Sequence, residues 1–307
     1  RDEEAGWRLA PNAALLGSIE FDMPSIAWMS RLMQDESVLE GRLQAAFSVT
    51  GTPAEPVATG RISGSDLGVT LVEHGVQLSG GTLRAEFERD RLRLRQFEFV
   101  TPNRVRPRDA RVPVDALTAE PGRLSADGEI DLANGEGEFR FEADRMPVLQ
   151  RPDRWLLLSG QGRARSTWTS LDVQADFRAD AGYVEFAETP PPTLSDDVVI
   201  VGSEEDEAGG GGGLAVSADV TVSLGNALYL SALGLETRLA GELALRLRDG
   251  SPLAATGTIS TVGGSYKGYG QSLTIERGLI NFQGPLDNPG LNVVALRKGL
   301  PVEAGIA

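Results

Sequence analysis

The chain is 307 residues long, carries a formal net charge of −15 and contains no cysteine. Its acidic surface repels phosphate backbones, which argues against a nucleic-acid partner, and the lack of cysteine excludes disulfides and thiolate metal ligands. The 37 glycines and the low aromatic content of 6% fit a chain of many short strands joined by tight turns.

The first element along the chain is a short helix. Ile26, Met29, Leu32 and Met33 recur at helical spacing after Ser25, which is a typical N-cap residue. We therefore expect one short helix in an otherwise β-structured chain, and we expect it to close one end of a sheet.

A strand that changes its face follows near residue 95. In RLRLRQFEFV, residues 91–100, the apolar parity changes from Leu92 and Leu94 to Phe97 and Phe99. One extra residue at Arg95–Gln96 therefore predicts a β-bulge, a device that re-aims one face of a strand.

The central and C-terminal parts of the chain alternate strictly between apolar and polar side chains. The clearest case is LDVQADFRAD, residues 171–180, and similar segments cover residues 137–143, 214–224 and 239–247. Such alternation predicts strands with one dry and one wet face. The side chains expected on the dry face are Phe139, Phe141, Leu171, Val173, Phe177, Val220, Val222, Leu243, Leu245 and Leu247.

An acidic and glycine-rich segment, residues 202–213, interrupts these strands. It cannot bury apolar area, so it is expected to be a mobile loop. Its carboxylates at residues 204–207 lack the order of turn and ligand residues that a calcium loop needs.

No arrangement of residues typical of catalysis is present in the sequence. His74, the one histidine, lies beside Gly75 in LVEHGVQL, where a turn is expected and no nucleophile is near. The glycine run is not followed by the Lys-Ser/Thr pair of a phosphate-binding loop. We therefore expect no enzyme activity, no cofactor and no metal site.

Periodicity alone leaves open what the dry face contacts. In a β-sandwich it would be buried against a second sheet. In a curled sheet it would line a groove, and a strand of about nine residues, which spans roughly 30 Å, would accommodate an acyl chain.

The C-terminal stretch GTISTVGGSYKGYGQSLTIERGLINFQGPLDNPGLNVVALR, residues 257–297, resembles the C-terminal domain of the TamB family and is similar to AsmA-like proteins. Residues 143–160 and 192–202 also resemble that family. The matching C-terminal residues are Gly264, Tyr269, Gly270, Gln271, Leu273, Gly278, Phe282, Gly284, Pro285, Asp287, Asn288, Pro289 and Leu291.

These motif residues have a structural interpretation. LDNPGL predicts a type II turn with Pro289 and Gly290 at its two central positions. Gly270, between Tyr269 and Gln271, predicts a bend or the close approach of a second backbone. The motif is therefore expected to shape a sheet rather than to bind a ligand.

The resemblance implies one all-β domain over residues 1–307, built as a long antiparallel sheet that is curled into a taco-like or jelly-roll-like groove with an apolar interior. It also implies a periplasmic location in a Gram-negative bacterium, within a protein that is anchored in the inner membrane by a segment absent from this chain. The implied partner is the outer-membrane barrel protein TamA.

Two functions follow from that resemblance. In the first, the groove carries phospholipid between the two membranes and the dry face shields the acyl chains. In the second, the domain is a chaperone-like module that helps TamA to insert β-barrel proteins and autotransporters, and a sheet edge pairs with strands of an unfolded client. A structural spacer with an ordinary core is a third possibility.

Overall fold

A computed structural model describes residues 12–32, 37–72, 75–186, 214–268, 271–297 and 304–306. Within these ranges the chain is almost entirely β-structure, and sixteen strands belong to one sheet. The strands are β1 Gly17–Met23, β2 Ser37–Gly51, β3 Pro56–Leu71, β4 Val76–Glu88, β5 Arg91–Thr101, β6 Gly122–Asp131, β7 Gly137–Gln150, β8 Arg154–Ser166, β9 Ser170–Phe186, β10 Ala215–Ser223, β11 Leu228–Ala232, β12 Leu235–Leu247, β13 Ala254–Gly268, β14 Gln271–Pro285, β15 Gly290–Arg297 and β16 Ala304–Ile306.

The strand order follows the chain, and the expectation of a long, mainly antiparallel all-β sheet is confirmed. One region differs from a purely antiparallel sheet, because β9 runs parallel to β10 along its first half and parallel to β11 along its second half. A parallel pair needs a crossover of a dozen residues or more. Residues 187–214, between β9 and β10, provide that length.

The predicted bulge at Arg95–Gln96 is confirmed. Arg84 of β4 pairs with Gln96 and Ala85 pairs with Leu94, which leaves Arg95 as the extra residue. The bulge keeps the leucines and the phenylalanines of β5 on the same face of the sheet despite their change of parity.

The predicted short helix is present as a 3-10 helix at Ala27–Leu32. The Ser25 hydroxyl accepts a hydrogen bond from the Ala27 N–H at 3.3 Å, as expected of a capping residue. Ile26 is buried and Met29 packs against the same cluster as Leu67 of β3, so the helix covers one end of the sheet. Met33 lies outside the described residues.

The turn between β14 and β15 differs from the prediction. The Asn288 N–H donates to the Pro285 carbonyl at 3.2 Å, so Leu286 and Asp287 occupy the centre of the turn. Gly290 already pairs with Asn281 as part of β15. The residue before a proline is driven toward extended backbone, and this preference ends the turn at Asn288 instead of starting it there.

Both faces of the sheet carry buried side chains at one place. Near β8, residues 102–121, between β5 and β6, pass over the face of the sheet that elsewhere carries mostly polar side chains. They include a four-residue helix, α1 Val114–Leu117. Their contacts with the sheet include hydrogen bonds from the Trp155 indole N–H to Asn103 Oδ1 at 2.8 Å and from the Arg108 N–H to the Pro152 carbonyl at 3.0 Å. We call residues 102–121 the crossing segment.

Candidate functional site

Strand register places all ten residues expected on the dry face on the same side of the sheet, on the four strands β7, β9, β10 and β12, with β8 lying between β7 and β9. Val173 pairs with Ala218, which pairs with Leu247, and Phe177 pairs with Val222, which pairs with Leu243. Phe139 and Phe141 join this side through Ala164 and Gly162 of β8. We call this side of the sheet the apolar face.

The apolar face continues far beyond those strands. One cross-strand row runs over thirteen strands, β1 to β10 and β12 to β14, without a polar side chain. Its members are Met23, Leu43, Gly64, Leu83, Phe97, Ala126, Phe141, Gly162, Ala175, Val220, Leu245, Ala255 and Gly284. The sequence analysis missed the first part of this row, although the alternation in GSIEFDM, residues 17–23, and in LQAAFSV, residues 43–49, is the signal that identifies it.

Most side chains of the apolar face are only half-buried. Among the ten expected residues, Leu243 is 8% exposed, and the other nine are intermediate between buried and exposed. A second sheet packed on this face would reduce such values to a few per cent, as in a sandwich core. The face also carries two buried clusters, one around Phe99 and Met146 and one around Leu243 and Ala255. It is therefore a continuous apolar surface that the described residues leave partly uncovered between these clusters.

The middle of the apolar face is aromatic. The rings of Phe141 and Phe177 are stacked, with centroids 6.2 Å apart and an interplanar angle of 25°. They approach each other over β8, where Gly160 and Gly162 carry no side chain on this face.

The opposite face of the sheet is charged. Asp219 accepts hydrogen bonds from Arg246 at 3.2 Å and from Arg248 at 2.8 Å. The hydrogen bond from Arg248 is the main reason why the pKa of Asp219 lies below its ordinary value. A cleft of about 1130 Å³ on this face is lined mostly by such polar and charged side chains, so this face stays hydrated and does not suit an apolar ligand.

A closed apolar core interrupts the polar face where the crossing segment lies. Trp155, Leu157 and Ala181 are 0% exposed there and pack with Val112 and Val114. We call these five residues, with Tyr183, the outer cluster. The sequence analysis missed it, although the unbroken apolar run WLLL, residues 155–158, departs from alternation and indicates a strand that is covered on both faces.

An ion pair and a cation–π contact, both formed by Arg111, lie at the edge of the outer cluster. The Arg111 guanidinium donates hydrogen bonds of 2.6–3.1 Å to the Asp109 carboxylate. It also lies 4.8 Å from the centre of the Tyr229 ring. The hydrogen bonds from the Arg111 side chain hold the pKa of Asp109 below its ordinary value. Burial raises the pKa of Tyr183.

Seven of the eleven family-motif residues that the structure describes lie at bends, turns or strand ends. Gly264 has a φ of +123°, and a Cβ added there would lie 2.5 Å from the Glu236 carbonyl oxygen. Glu236 pairs with Ser265 and Arg238 with Val262, so Gly263 and Gly264 form a β-bulge opposite Thr237. The buried Thr237 hydroxyl donates a hydrogen bond to the Gly263 carbonyl at 2.7 Å and stabilises this bulge. Gln271 pairs with Gly268 at the start of β14. Five further members lie at the β14–β15 turn and are Gly284, Pro285, Asp287, Asn288 and Pro289. The remaining described members lie within strands: Leu273, Gly278 and Phe282 in β14 and Leu291 in β15.

Several sequence predictions fall outside the described residues. These are His74, Tyr269, Gly270, the acidic and glycine-rich segment 202–213 and its carboxylates. In the described ranges, no group of three or more His, Asp or Glu side chains is arranged to hold a metal ion. Within the same ranges, no helix has the length and apolar character needed to span a membrane.

Two comparisons place this sheet among known proteins. Residues 113–307 match the family model of the TamB C-terminal domain. Over 85 residues the chain is 35% identical to the Translocation and assembly module subunit TamB of Haemophilus influenzae strain Rd. That alignment covers 28% of this chain and 6% of the relative, so it relates this chain to a small part of a much longer protein.

Proposed function

The chain belongs to the TamB C-terminal domain family, and from this premise we propose that it carries phospholipid between the inner and outer membranes along its apolar face. Family membership supports a role in the translocation and assembly system. The proposed setting is the periplasm of a Gram-negative bacterium, within a longer protein anchored in the inner membrane. Residues 1–307 act in it as one domain.

The observation that carries this proposal is the uninterrupted apolar face, on which most side chains are half-buried. A side chain that keeps part of its apolar surface in water gains stability when an acyl chain covers it, at about 25 cal/mol per Å². Each methylene of the lipid tail gains roughly 0.8 kcal/mol in the same exchange. A long apolar row therefore binds tails without a specific contact, and a tail moves along it because each position resembles the next.

The length of the strands supports the same conclusion. At about 3.3 Å per residue, the seventeen residues of β9 span roughly 55 Å, which exceeds the hydrocarbon thickness of a bilayer, about 30 Å. An acyl chain, about half as long as that thickness, lies within the width of the sheet. The charged opposite face keeps the outside of the sheet in water.

This function requires no chemical step, so we propose that the chain is not an enzyme. The side chains that act on the lipid do so by excluding water. They are the ten residues of the dry face: Phe139, Phe141, Leu171, Val173, Phe177, Val220, Val222, Leu243, Leu245 and Leu247.

A second candidate function is assistance to TamA in the assembly of outer-membrane β-barrel proteins. The observation that favours it is the edge strand β15, where Leu291 is 70% and Val293 40% exposed. Among the described residues, β16 covers this edge only at Ala295–Arg297. The open remainder offers backbone groups to which a client strand can add.

The experiment that tests the leading proposal is native mass spectrometry of the purified chain, with identification of lipid that co-purifies. We expect phospholipid on the wild type and its loss in Leu245→Asp, which puts a charge on the apolar face. The matched control is Ala244→Asp, which places the same charge one residue away on the exposed polar face and should keep the lipid. Equal lipid on both folded variants would contradict the proposal.

The second function has its own test on the same chain. Val293→Pro removes a backbone N–H that points away from β14, from the part of β15 that β16 does not cover, and hinders strand addition there. If TamA-dependent assembly fails in this variant while lipid stays bound, assembly requires the edge strand and not the apolar face.

A further inference from the structure

In the middle of the apolar face, β8 presents two glycines and therefore no side chain. Gly160 and Gly162 are its two consecutive positions on this face, and their cross-strand partners are Phe177 of β9 and Phe141 of β7. A Cβ added to Gly162 would lie 2.3 Å from Phe141 Cζ, and one added to Gly160 would lie 2.6 Å from Phe177 Cδ1. Each ring therefore leans across the glycine opposite it, from opposite sides of β8.

The same arrangement recurs across the sheet. In each further case a glycine stands directly opposite a phenylalanine, and a Cβ added to the glycine would meet the ring at 2.4–2.6 Å. These pairs are Phe47 with Gly60, Phe99 with Gly81, and Phe139 with Gly128.

A glycine on this face has a physical cost that the ring removes. The peptide groups of β8 are hydrogen-bonded to β7 and β9, but without a side chain they are accessible to water from the apolar face, and an acyl chain above them contacts polar backbone and an unfilled volume. An aromatic ring from the next strand covers the glycine and fills the missing volume, as in the aromatic rescue of sheet glycines. Phe141 and Phe177, stacked over β8, form one apolar cover over two adjacent glycines.

We infer that Phe141 and Phe177 are positioning residues of the apolar face, which seal the backbone of β8 and hold an acyl chain flat on their rings. The inference rests on the proposed lipid-carrying function and deepens it. Without the rings, a slot opens along β8 whose floor is the peptide backbone. Water enters that slot, and a tail lying over it loses its continuous apolar contact.

The test uses the variants Phe141→Ala and Phe177→Ala with Phe97→Ala as the matched control. Phe97 lies half-buried on the same face, but its cross-strand partners are Leu83 and Ala126, so its truncation uncovers no glycine. Phe141→Leu is a second variant that keeps apolar volume and folding but lacks a ring that reaches across Gly162. The probe is the fluorescent fatty acid cis-parinaric acid, and hydrogen exchange of the β8 amides is measured alongside.

We expect Phe141→Ala and Phe177→Ala each to raise the dissociation constant of cis-parinaric acid about tenfold. This corresponds to a loss of about 1.4 kcal/mol of binding free energy. Phe141→Leu should give a smaller rise, and so should Phe97→Ala, which removes apolar area from the same row but uncovers no glycine. Amides of Gly160–Gly162 should exchange faster in the two alanine variants and not in Phe97→Ala.

The two readouts separate the inference from the function on which it rests. Unchanged exchange of the β8 amides in Phe141→Ala, or an equal loss of affinity in Phe97→Ala, would overturn the inference. Faster exchange in a chain whose wild type binds no cis-parinaric acid would uphold the cover over β8 and overturn the proposed acyl-chain function.

Discussion

Both faces of β8 carry large apolar side chains, but these are fully buried on one face and half-buried on the other. Trp155 and Leu157 point to the outer cluster and are 0% exposed, whereas Leu156 and Leu158 point to the apolar face and stay half-buried. The difference in exposure comes from what packs over each face of the strand. The crossing segment closes one face over Trp155 and Leu157. On the other face Leu156 and Leu158 stay half-buried, although the cross-strand partners of Leu158, Met146 and Ala179, are 1% and 2% exposed.

This contrast indicates which apolar residues serve stability and which remain available for a ligand. A closed core is close-packed, so each lost methylene leaves a cavity. A half-open face already contacts solvent, so a truncation there removes less stability and more binding surface. Four predictions test this division.

The largest expected effect is on the outer cluster. Leu157→Ala should lower the free energy of unfolding by about 3 kcal/mol, because it leaves a cavity in a fully buried site. Leu158→Ala, the same change one residue along on the open face, should cost about 1 kcal/mol. Urea denaturation of both variants measures the difference, and equal losses would mean that the two faces are packed alike.

A ligand should stabilise the open face and leave the closed one unaffected. At one hundred times its dissociation constant, cis-parinaric acid should raise the free energy of unfolding by about 2.7 kcal/mol. The gain should persist in Leu157→Ala and in Ala244→Asp but vanish in Leu245→Asp. A gain retained by folded Leu245→Asp would place the ligand elsewhere.

The crossing segment should depend on one buried hydrogen bond. Asn103→Ala removes the acceptor of the Trp155 indole N–H at 2.8 Å, and an unsatisfied buried donor costs about 1–2 kcal/mol. The same change in a Trp155→Phe background should cost much less, because no indole donor remains. A double-mutant cycle by urea denaturation gives this coupling, and additive effects would show that the bond does not hold the segment.

The smallest effect concerns pH. The pKa of Asp109 is lowered in the folded state by hydrogen bonds from Arg111, so its contribution is fully present above the unfolded value, about 3.9. It is lost as pH falls through the lower folded value. Asp109→Asn should therefore be less stable than the wild type at pH 6 by less than about 1 kcal/mol, and the gap should close in acid. A gap that widens as pH falls would contradict the sign.

Much of the sheet was predictable because strand periodicity is a local property. The alternation around Val173 and Phe177 identified the correct face, and the parity change between Leu94 and Phe97 identified the bulge. The parallel pairing of β9 with β10 and β11 was not predictable, because strand order depends on distant parts of the chain. The turn at Pro285–Asn288 was misplaced because two turns compete within LDNPGL and strand pairing selects between them.

By itself, the sequence determined that this protein is a sheet with one apolar face, because alternating side chains must point to opposite sides of a strand. It also carried the family motif, most of whose described residues lie at bends, turns or strand ends. Only the tertiary structure decided which apolar side chains are covered. Trp155 and Leu156 are adjacent in the chain, and their different exposure comes from a segment that arrives from about forty residues upstream, since burial depends on what packs above a side chain and not on its neighbours in sequence.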